Sequence, residues 1–428
     1  MERGNAERTE IWLAAGVRTP FAKVDGALSN FDPIALSVPV VKAMSGQLRG
    51  DPDFVIWGCV APNLTWSNIA REVLMEAGVL TTIPATSTVM ACSTSMVAAF
   101  EAAGMLDDST RKLALVGGVE SMSHVQLGLG LNLSNWVRGF QNARSLGEKV
   151  SHAAALNFRD VKLYIPSVTN RATGMSMGEH TEITAKEWDI PRDAQDRFAL
   201  ASHQRAVAGW ERGFFSDLVF PLGDATRDTI PRKDTSLEKL SRLPPAFDRT
   251  SGKGTLSAGN SSPLTDGAAA MWVASREGLH RLPSSVARVR LTDWEIAAVD
   301  FRVEGLLMAP AFAIPRLLAR NGLAYEDIDL WEIHEAFAAQ ALFHFKALED
   351  ATFLREKVHV DAALGAFPRE RVNPNGGSVA LGHPFGATGA RILSQAVKEL
   401  AARPAGSRAI VSICADGGQG SVALLEAV

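Results

Sequence analysis

The chain is poor in cysteine, with three in 428 residues. So small and odd a number argues against a disulfide scaffold and suits a reducing compartment. No apolar run approaches the roughly 18 residues that a membrane-spanning helix needs. The opening Met1-Glu-Arg-Gly-Asn-Ala-Glu-Arg-Thr-Glu10 mixes acids with bases. It therefore has neither the apolar core of a signal peptide nor the acid-poor pattern of a transit peptide. A soluble cytoplasmic protein is expected. Excess charge of one sign is missing as well: 43 Lys and Arg against 47 Asp and Glu leave a net charge of −4, so nothing argues for nucleic acid as a partner. The length exceeds one ordinary small domain and suffices for two or three with ample core.

What the chain does have is a set of reactive side chains at the ends of apolar runs. Cys92 lies in Thr88-Val-Met-Ala-Cys-Ser-Thr-Ser-Met-Val-Ala-Ala-Phe-Glu-Ala-Ala-Gly-Met-Leu106, where a strand-like run ends and a long apolar helix begins. Unpaired amides at a helix N-terminus favour thiolate over thiol, and the small Ser93, Thr94 and Ser95 leave space for a substrate. Taken alone, a buried core thiol is the competing reading. His383 sits in the glycine-rich Asn373-Pro-Asn-Gly-Gly-Ser-Val-Ala-Leu-Gly-His-Pro-Phe-Gly-Ala-Thr-Gly-Ala-Arg391. Cys414 closes the β-rich Arg408-Ala-Ile-Val-Ser-Ile-Cys414, before the turn Ala415-Asp-Gly-Gly-Gln-Gly420. His334 opens His334-Glu-Ala-Phe-Ala-Ala-Gln340, directly after the strand-like Leu330-Trp-Glu-Ile333. Together these blocks read as one composite site. Cys59, with no charged residue beside it in sequence, reads as buried and inert.

The order of elements repeats. The Cys92 helix is followed by the strand-like run from Arg111 to Glu120, and the helix after His383 by the run from Arg408 to Cys414. Each half opens on a β-branched run, Ile11 to Val17 and Val286 to Leu291. Apolar strands alternating with helices predict an α/β protein with parallel-rich sheets covered on both faces. Residues 124–249 fit neither half and read as an inserted cap. That divides the chain into an N-terminal half of 1–123 with 250–276, a cap of 124–249, and a C-terminal half of 277–428. The bases Arg138, Arg144, Lys149, Arg159 and Lys162 in the cap read as a solvated face, or as contacts to phosphates, a partner or a membrane surface.

Across nearly its whole length the sequence resembles the thiolase family of acyl-CoA C-acyltransferases. The resemblance runs from Ala15-Gly-Val-Arg-Thr-Pro-Phe21 through the Gly-His-Pro block to the final glycine turn. His-Glu-Ala-Phe, with Asn260-Ser-Ser-Pro-Leu-Thr-Asp-Gly267 and Gly174-Met-Ser-Met-Gly178, resembles the branch that includes trifunctional-complex β subunits. The resemblance implies two similar βαβαβαββ halves in five α-β-α-β-α layers, with an inserted loop domain. It implies Cys92 as nucleophile, His383 as its base, Cys414 as the acid/base of the enolate step, and His334 as holder of a water at the thioester oxygen. The resemblance also implies that the backbone amides of Cys92 and Asp416 form the second oxyanion hole. Asp416 stands where the family usually carries Gly or Ala, and its carboxylate is expected to raise the pKa of Cys414 unless it is paired or points away. Met177 and Ser262 map to contacts with the pantetheine arm, and Ala336 with Phe337 to the lining of its tunnel. The implied activity is a 3-ketoacyl-CoA thiolase acting on medium or long chains. A biosynthetic acetoacetyl-CoA thiolase and a non-catalytic acyl-CoA or sterol carrier are the alternatives. No metal and no cofactor is implied, coenzyme A being a substrate. A homodimer or homotetramer is expected, with a hydratase/dehydrogenase subunit as a further partner.

Overall fold

In the computed structural model, which describes residues 9–107, 110–157, 159, 161–164, 168–361 and 363–428, side chains alternate along the strands between separate cores. The strands are β1 (Ile11–Ala14), β2 (Ala22–Lys23), β3 (Phe54–Cys59), β4 (Ala85–Thr86), β5 (Leu113–Glu120), β6 (Gly128–Leu129), β7 (Leu163–Tyr164), β8 (Thr265–Ser275), β9 (Arg288–Ala298), β10 (Leu330–Ile333), β11 (Arg408–Ala415) and β12 (Gln419–Glu426). Because neighbouring residues of a strand face opposite ways, β3 sends Phe54 and Ile56 into a central core and Val55, Trp57 and Cys59 into an outer one. Likewise β11 sends Ala409, Val411 and Ile413 into that same central core, and Ile410 and Cys414 into a third core on its far side. Strands buried on both faces read as the near-continuous apolar runs seen in the sequence.

The central core is filled by the helices Thr94–Met105 and Thr388–Ala401. Helices Pro33–Ser45 and Ile69–Ala77 cover the outer face of the first half, and Ala309–Arg320 and Ala338–Glu349 that of the second. Five layers result. Contact between the two central helices depends on glycine: a Cβ at Gly389 would lie 2.1 Å from Met96 N. Ser95 Oγ also accepts a bond from Ala390 N at 2.8 Å.

Among the described residues the main sheet runs β10-β11-β12-β9-β1-β8-β5-β3-β4, with β2 beside β8. Numbered within its own half, the first half has the order 3-2-4-5-1. The second repeats it, with Val372 bridging Trp331 in parallel where a third strand would stand. The halves join edge to edge through the antiparallel β1 and β9, so the two sheets of the five-layer expectation are one hydrogen-bonded sheet. It is mixed rather than parallel-rich. Among the described strands only β3–β4, β3–β5 and β10–β11 pair in parallel, apart from single bridges such as Val372 with Trp331. The last two strands of each half pair antiparallel, β11 with β12 across a short turn and β5 with β8 across the whole of the inserted residues 124–249.

Residues 124–249 add the β6–β7 ribbon and four long helices. Two of these, Leu131–Asn142 and Leu146–Ala154, bury no residue. The other two, Met177–Glu187 and Arg192–Glu211, pack on the second half and carry buried residues such as Thr181, Ala185, Ala199 and Ala206. No helix among the described residues is long and apolar enough to cross a membrane.

Candidate active site

Cys92 lies in a single 3-10 turn, Ala91–Ser93, that leads into the helix Thr94–Met105. The run before it is not a strand: β4 ends at Thr86, and Ala91 takes a left-handed φ of 44°. That conformation is uncommon for a residue with a Cβ. It turns Cys92 out onto a cavity. Ser93, Thr94 and Ser95, expected to make room for a substrate, are fully buried and consumed by internal bonds. Thr94 Oγ1 donates to Ala91 O, Ser95 Oγ holds Ala390 N, and Ser93 Oγ meets Ser421 Oγ. The thiol itself is not the ready thiolate that its helix position suggested. Burial, then the carboxylate of Asp416, push its pKa up to about 12, against the opposing pull of the backbone amides of Cys92 and Asp416. Desolvation and a like charge outweigh the helix terminus here.

His383 follows Gly382, whose φ is 99°, in a loop locked to the first half of the molecule. A Cβ at Gly118 would lie 2.1 Å from Gly386 O, and Glu120 Oε2 accepts from Gly386 N at 3.1 Å. Thr388 Oγ1 donates to Pro384 O at 3.0 Å and stands 2.7 Å from His383 Nδ1. With the hydroxyl proton used, Nδ1 is the donor of that pair, which leaves the Nε2 lone pair free. Nε2 is buried and has no protein partner among the described residues. Burial, and then Arg391, lower the pKa of His383 to about 3, so the imidazole is neutral.

His334 begins where β10 ends, and its N–H bonds Ser412 O at 2.8 Å. Its ring lies 4.2 Å from that of His383, centroid to centroid, and its Nε2 is likewise buried without a partner. Burial, then His383, hold its pKa well below the usual imidazole range. Cys92 Sγ and one nitrogen of each imidazole lie within 4.8 Å of one another, so protons can pass among them with small side-chain movements. Cys414, near the end of β11, is 1% exposed, and its pKa is raised by burial and then by Cys92.

Asp416 meets the condition under which it was expected to leave Cys414 unaffected. Its carboxylate is paired, Oδ1 accepting from Asn170 Nδ2 at 2.9 Å and from Gly417 N at 2.7 Å. The thiol its charge raises is Cys92, whereas Cys414 owes its shift to burial and Cys92. Cys59 is buried as expected but has a charged neighbour: its thiol donates to Glu120 Oε1 at 3.4 Å. Glu335 turns away from the cavity to accept from Ser202, Asn373 and Val379.

Above Cys92 and His383 lies a cavity of about 390 Å³, lined by Met177, Ser262, Ala336 and Phe337 and by Asp416. Phe247, which sequence reading passed over, stands edge-on to Phe337 at 5.7 Å in its wall. Through Phe247, Ser262, Pro263 and Leu264 it adjoins a second cavity of about 680 Å³ that carries Lys23, Arg232 and Lys239. The cap bases Arg138, Arg144, Lys149, Arg159 and Lys162 line neither. Thr388, Ser378, Arg391 and Glu120 were also missed. A carboxylate ending the wholly buried run of β5 was the one visible signal among them.

The N-terminal thiolase domain model matches residues 11–277 and the C-terminal one residues 286–427. A 3-ketoacyl-CoA thiolase of Yersinia enterocolitica is 34% identical over 425 residues, covering 97% of this chain and 96% of the relative. Its counterpart from Pectobacterium atrosepticum is 35% identical with the same coverage. Among solved structures, the Bacillus anthracis acetyl-CoA acetyltransferase aligns with a TM-score of 0.79 at 30% identity, over 98% of this chain and 99% of that one. Human mitochondrial 3-ketoacyl-CoA thiolase aligns with a TM-score of 0.78 at 27% identity, over 99% and 100%.

Proposed function

The chain belongs to the thiolase family, and from that premise we propose that it is a 3-ketoacyl-CoA thiolase of fatty-acid β-oxidation, an acyltransferase that cleaves a 3-ketoacyl-CoA with CoA. The observation that carries the reading is the convergence of Cys92 Sγ with two neutral imidazoles whose Nε2 atoms have no protein partner among the described residues, Cys92 and His383 lining an apolar cavity and His334 lying beside them. The adjoining cavity, with Lys23 and Arg232 and with Lys239 paired to Asp234, suits the nucleotide phosphates of coenzyme A.

In the forward reaction the Cys92 proton passes to His383 Nε2 as the sulfur attacks the 3-keto carbon. The resulting oxyanion is held by the amides of Cys92 and Asp416. Collapse breaks the C2–C3 bond, leaving an acyl-Cys92 thioester and the enolate of acetyl-CoA. The thioester oxygen of that enolate is stabilised by His334 and the now protonated His383, while Cys414 gives its proton to C2. Incoming CoA returns a proton to Cys414, its sulfur attacks the acyl carbon, and Cys92 leaves with the proton from His383. Coenzyme A is a substrate here, and no cofactor or metal takes part. A preference for medium or long chains, a cytoplasmic location, homo-oligomerisation and a hydratase/dehydrogenase partner belong to the same proposal.

CoA-dependent cleavage of a ladder from acetoacetyl-CoA to 3-ketohexadecanoyl-CoA tests it, with the intact mass of the protein read after incubation with acyl-CoA. Cleavage rising with chain length, and an acyl adduct on the Cys92 peptide that Cys92→Ala lacks, are expected. Turnover of acetoacetyl-CoA alone would point to the biosynthetic reaction. No turnover and no adduct would point to a carrier.

A further inference from the structure

The two imidazoles of the site are chemically alike, yet the proposed reaction asks opposite things of them. His383 must present a lone pair to Cys92, whereas His334 must present a hydrogen to the water it holds at the thioester oxygen, so that the water's own hydrogens face that oxygen. Their surroundings differ in the way this requires. His383 Nδ1 faces Thr388 Oγ1, whose own proton goes to Pro384 O. His334 Nδ1 faces Ser378 Oγ at 2.9 Å, and Ser378 Oγ accepts from Arg391 Nη2 at 2.6 Å. A guanidinium can only donate. Ser378 is fully buried, and among the described residues its hydroxyl oxygen has no further partner. Its own proton therefore goes to His334 Nδ1, the one acceptor in reach. A neutral imidazole that accepts at Nδ1 carries its hydrogen on Nε2.

Arg391 is suited to the task. It is 2% exposed, and its Nε and Nη1 have no protein partner among the described residues, so Ser378 is its one direct hydrogen-bond acceptor there. Glu332, the carboxylate behind it, is bonded to Gln395 instead. A cation beyond Ser378 also favours a lone pair, rather than a hydrogen, on the near side of His334.

Building on the thiolase reading, we propose that Ser378 and Arg391 are positioning residues that hold His334 as an Nε2–H donor, the tautomer opposite to that of His383, and so separate the enolate-stabilising group from the base. Neither need touch the substrate. The two halves of the reaction can be read apart. Acylation of Cys92 by a saturated acyl-CoA depends on Cys92 and His383, whereas exchange of the acetyl-CoA methyl hydrogens with D2O depends on the enolate and hence on His334. In Ser378→Ala the exchange should fall by about tenfold or more while Cys92 acylation stays within about twofold, and Ser378→Thr should restore exchange by returning the hydroxyl. Thr388→Val should do the reverse, slowing acylation more than exchange. Unimpaired acylation certifies that the Ala variant is folded. Unchanged exchange in Ser378→Ala overturns the proposal, and so does equal loss of both activities. If the wild-type protein shows neither activity, it is the thiolase reading itself that fails.

Discussion

Cys92 and His383 form a neutral pair at rest, because burial raises the thiol and lowers the imidazole. Attack must then be concerted with proton transfer, and the amides that hold the oxyanion carry more of the stabilisation than a preformed thiolate would. Asp416 contributes to this state by placing a charge near Cys92 while its Oδ1 is engaged by Asn170 and Gly417. Asp416→Asn keeps an acceptor for both donors and removes the charge. Its Cys92 pKa should drop, so alkylation by iodoacetamide, located by peptide mass, should follow a pH profile displaced downward and run several-fold faster near pH 8. An unmoved or upward profile would show that the carboxylate has no hold on the nucleophile. The sequence directed attention to Cys414 instead, since separation along the chain says nothing about which thiol the turn of Ala415 to Gly418 faces.

At the level of elements, much was legible. β10 has the bounds read from its apolar run, and β11 extends one residue past Cys414. The four reactive side chains stand out because each closes or follows an apolar run, which marks the end of an element. The strand read before Cys92 was wrong because Ala91 adopts a left-handed backbone that no propensity signals. Ser378 and Arg391 were illegible for another reason: Ser378 lies 44 positions from the histidine it meets, and only the fold brings them together. The contact between the central helices makes a pair of contrasting predictions. Gly389→Ala would drive a methyl into the backbone of the Cys92 helix and should cost about 3 kcal/mol or more. Gly104→Ala, on the exposed side of that helix with nothing within 4 Å of the new methyl, should stabilise by about 0.5 to 1 kcal/mol. Denaturant midpoints of the two variants check both signs.

Over the whole molecule, the repeated 3-2-4-5-1 order brings the starts of both central helices to one place, so the first half supplies Cys92 and the second His334, His383, Cys414 and Asp416. Burying a site at that junction leaves many titratable groups neutral, and stability must follow pH accordingly. Burial holds His334, His344 and His383 below their usual range, and His203 too, where Arg232 adds to the effect. Below about pH 6.5 the unfolded chain takes up protons that the folded one refuses, so stability falls as pH falls. Glu332, with a pKa raised mainly by burial to about 8, and Glu335 and Glu120, raised in the same direction, act oppositely. Above about pH 4.5 they keep protons that the unfolded chain has lost, and stability declines as pH rises. Burial likewise lowers His180 and raises Asp266, so between these values five histidines outnumber four carboxylates, and between about pH 6.5 and 8 Glu332 still opposes folding while the histidines no longer titrate. The three cysteines, all with raised pKa, steepen the decline above about pH 9. The urea midpoint should therefore peak near pH 7, fall gently toward pH 8 and fall more steeply on the acid side. Glu332→Gln should flatten the limb between about pH 6.5 and 8 and leave the acid limb in place. A midpoint that keeps rising from about pH 7 to 9 in the wild-type protein would show that these buried groups do not govern its stability.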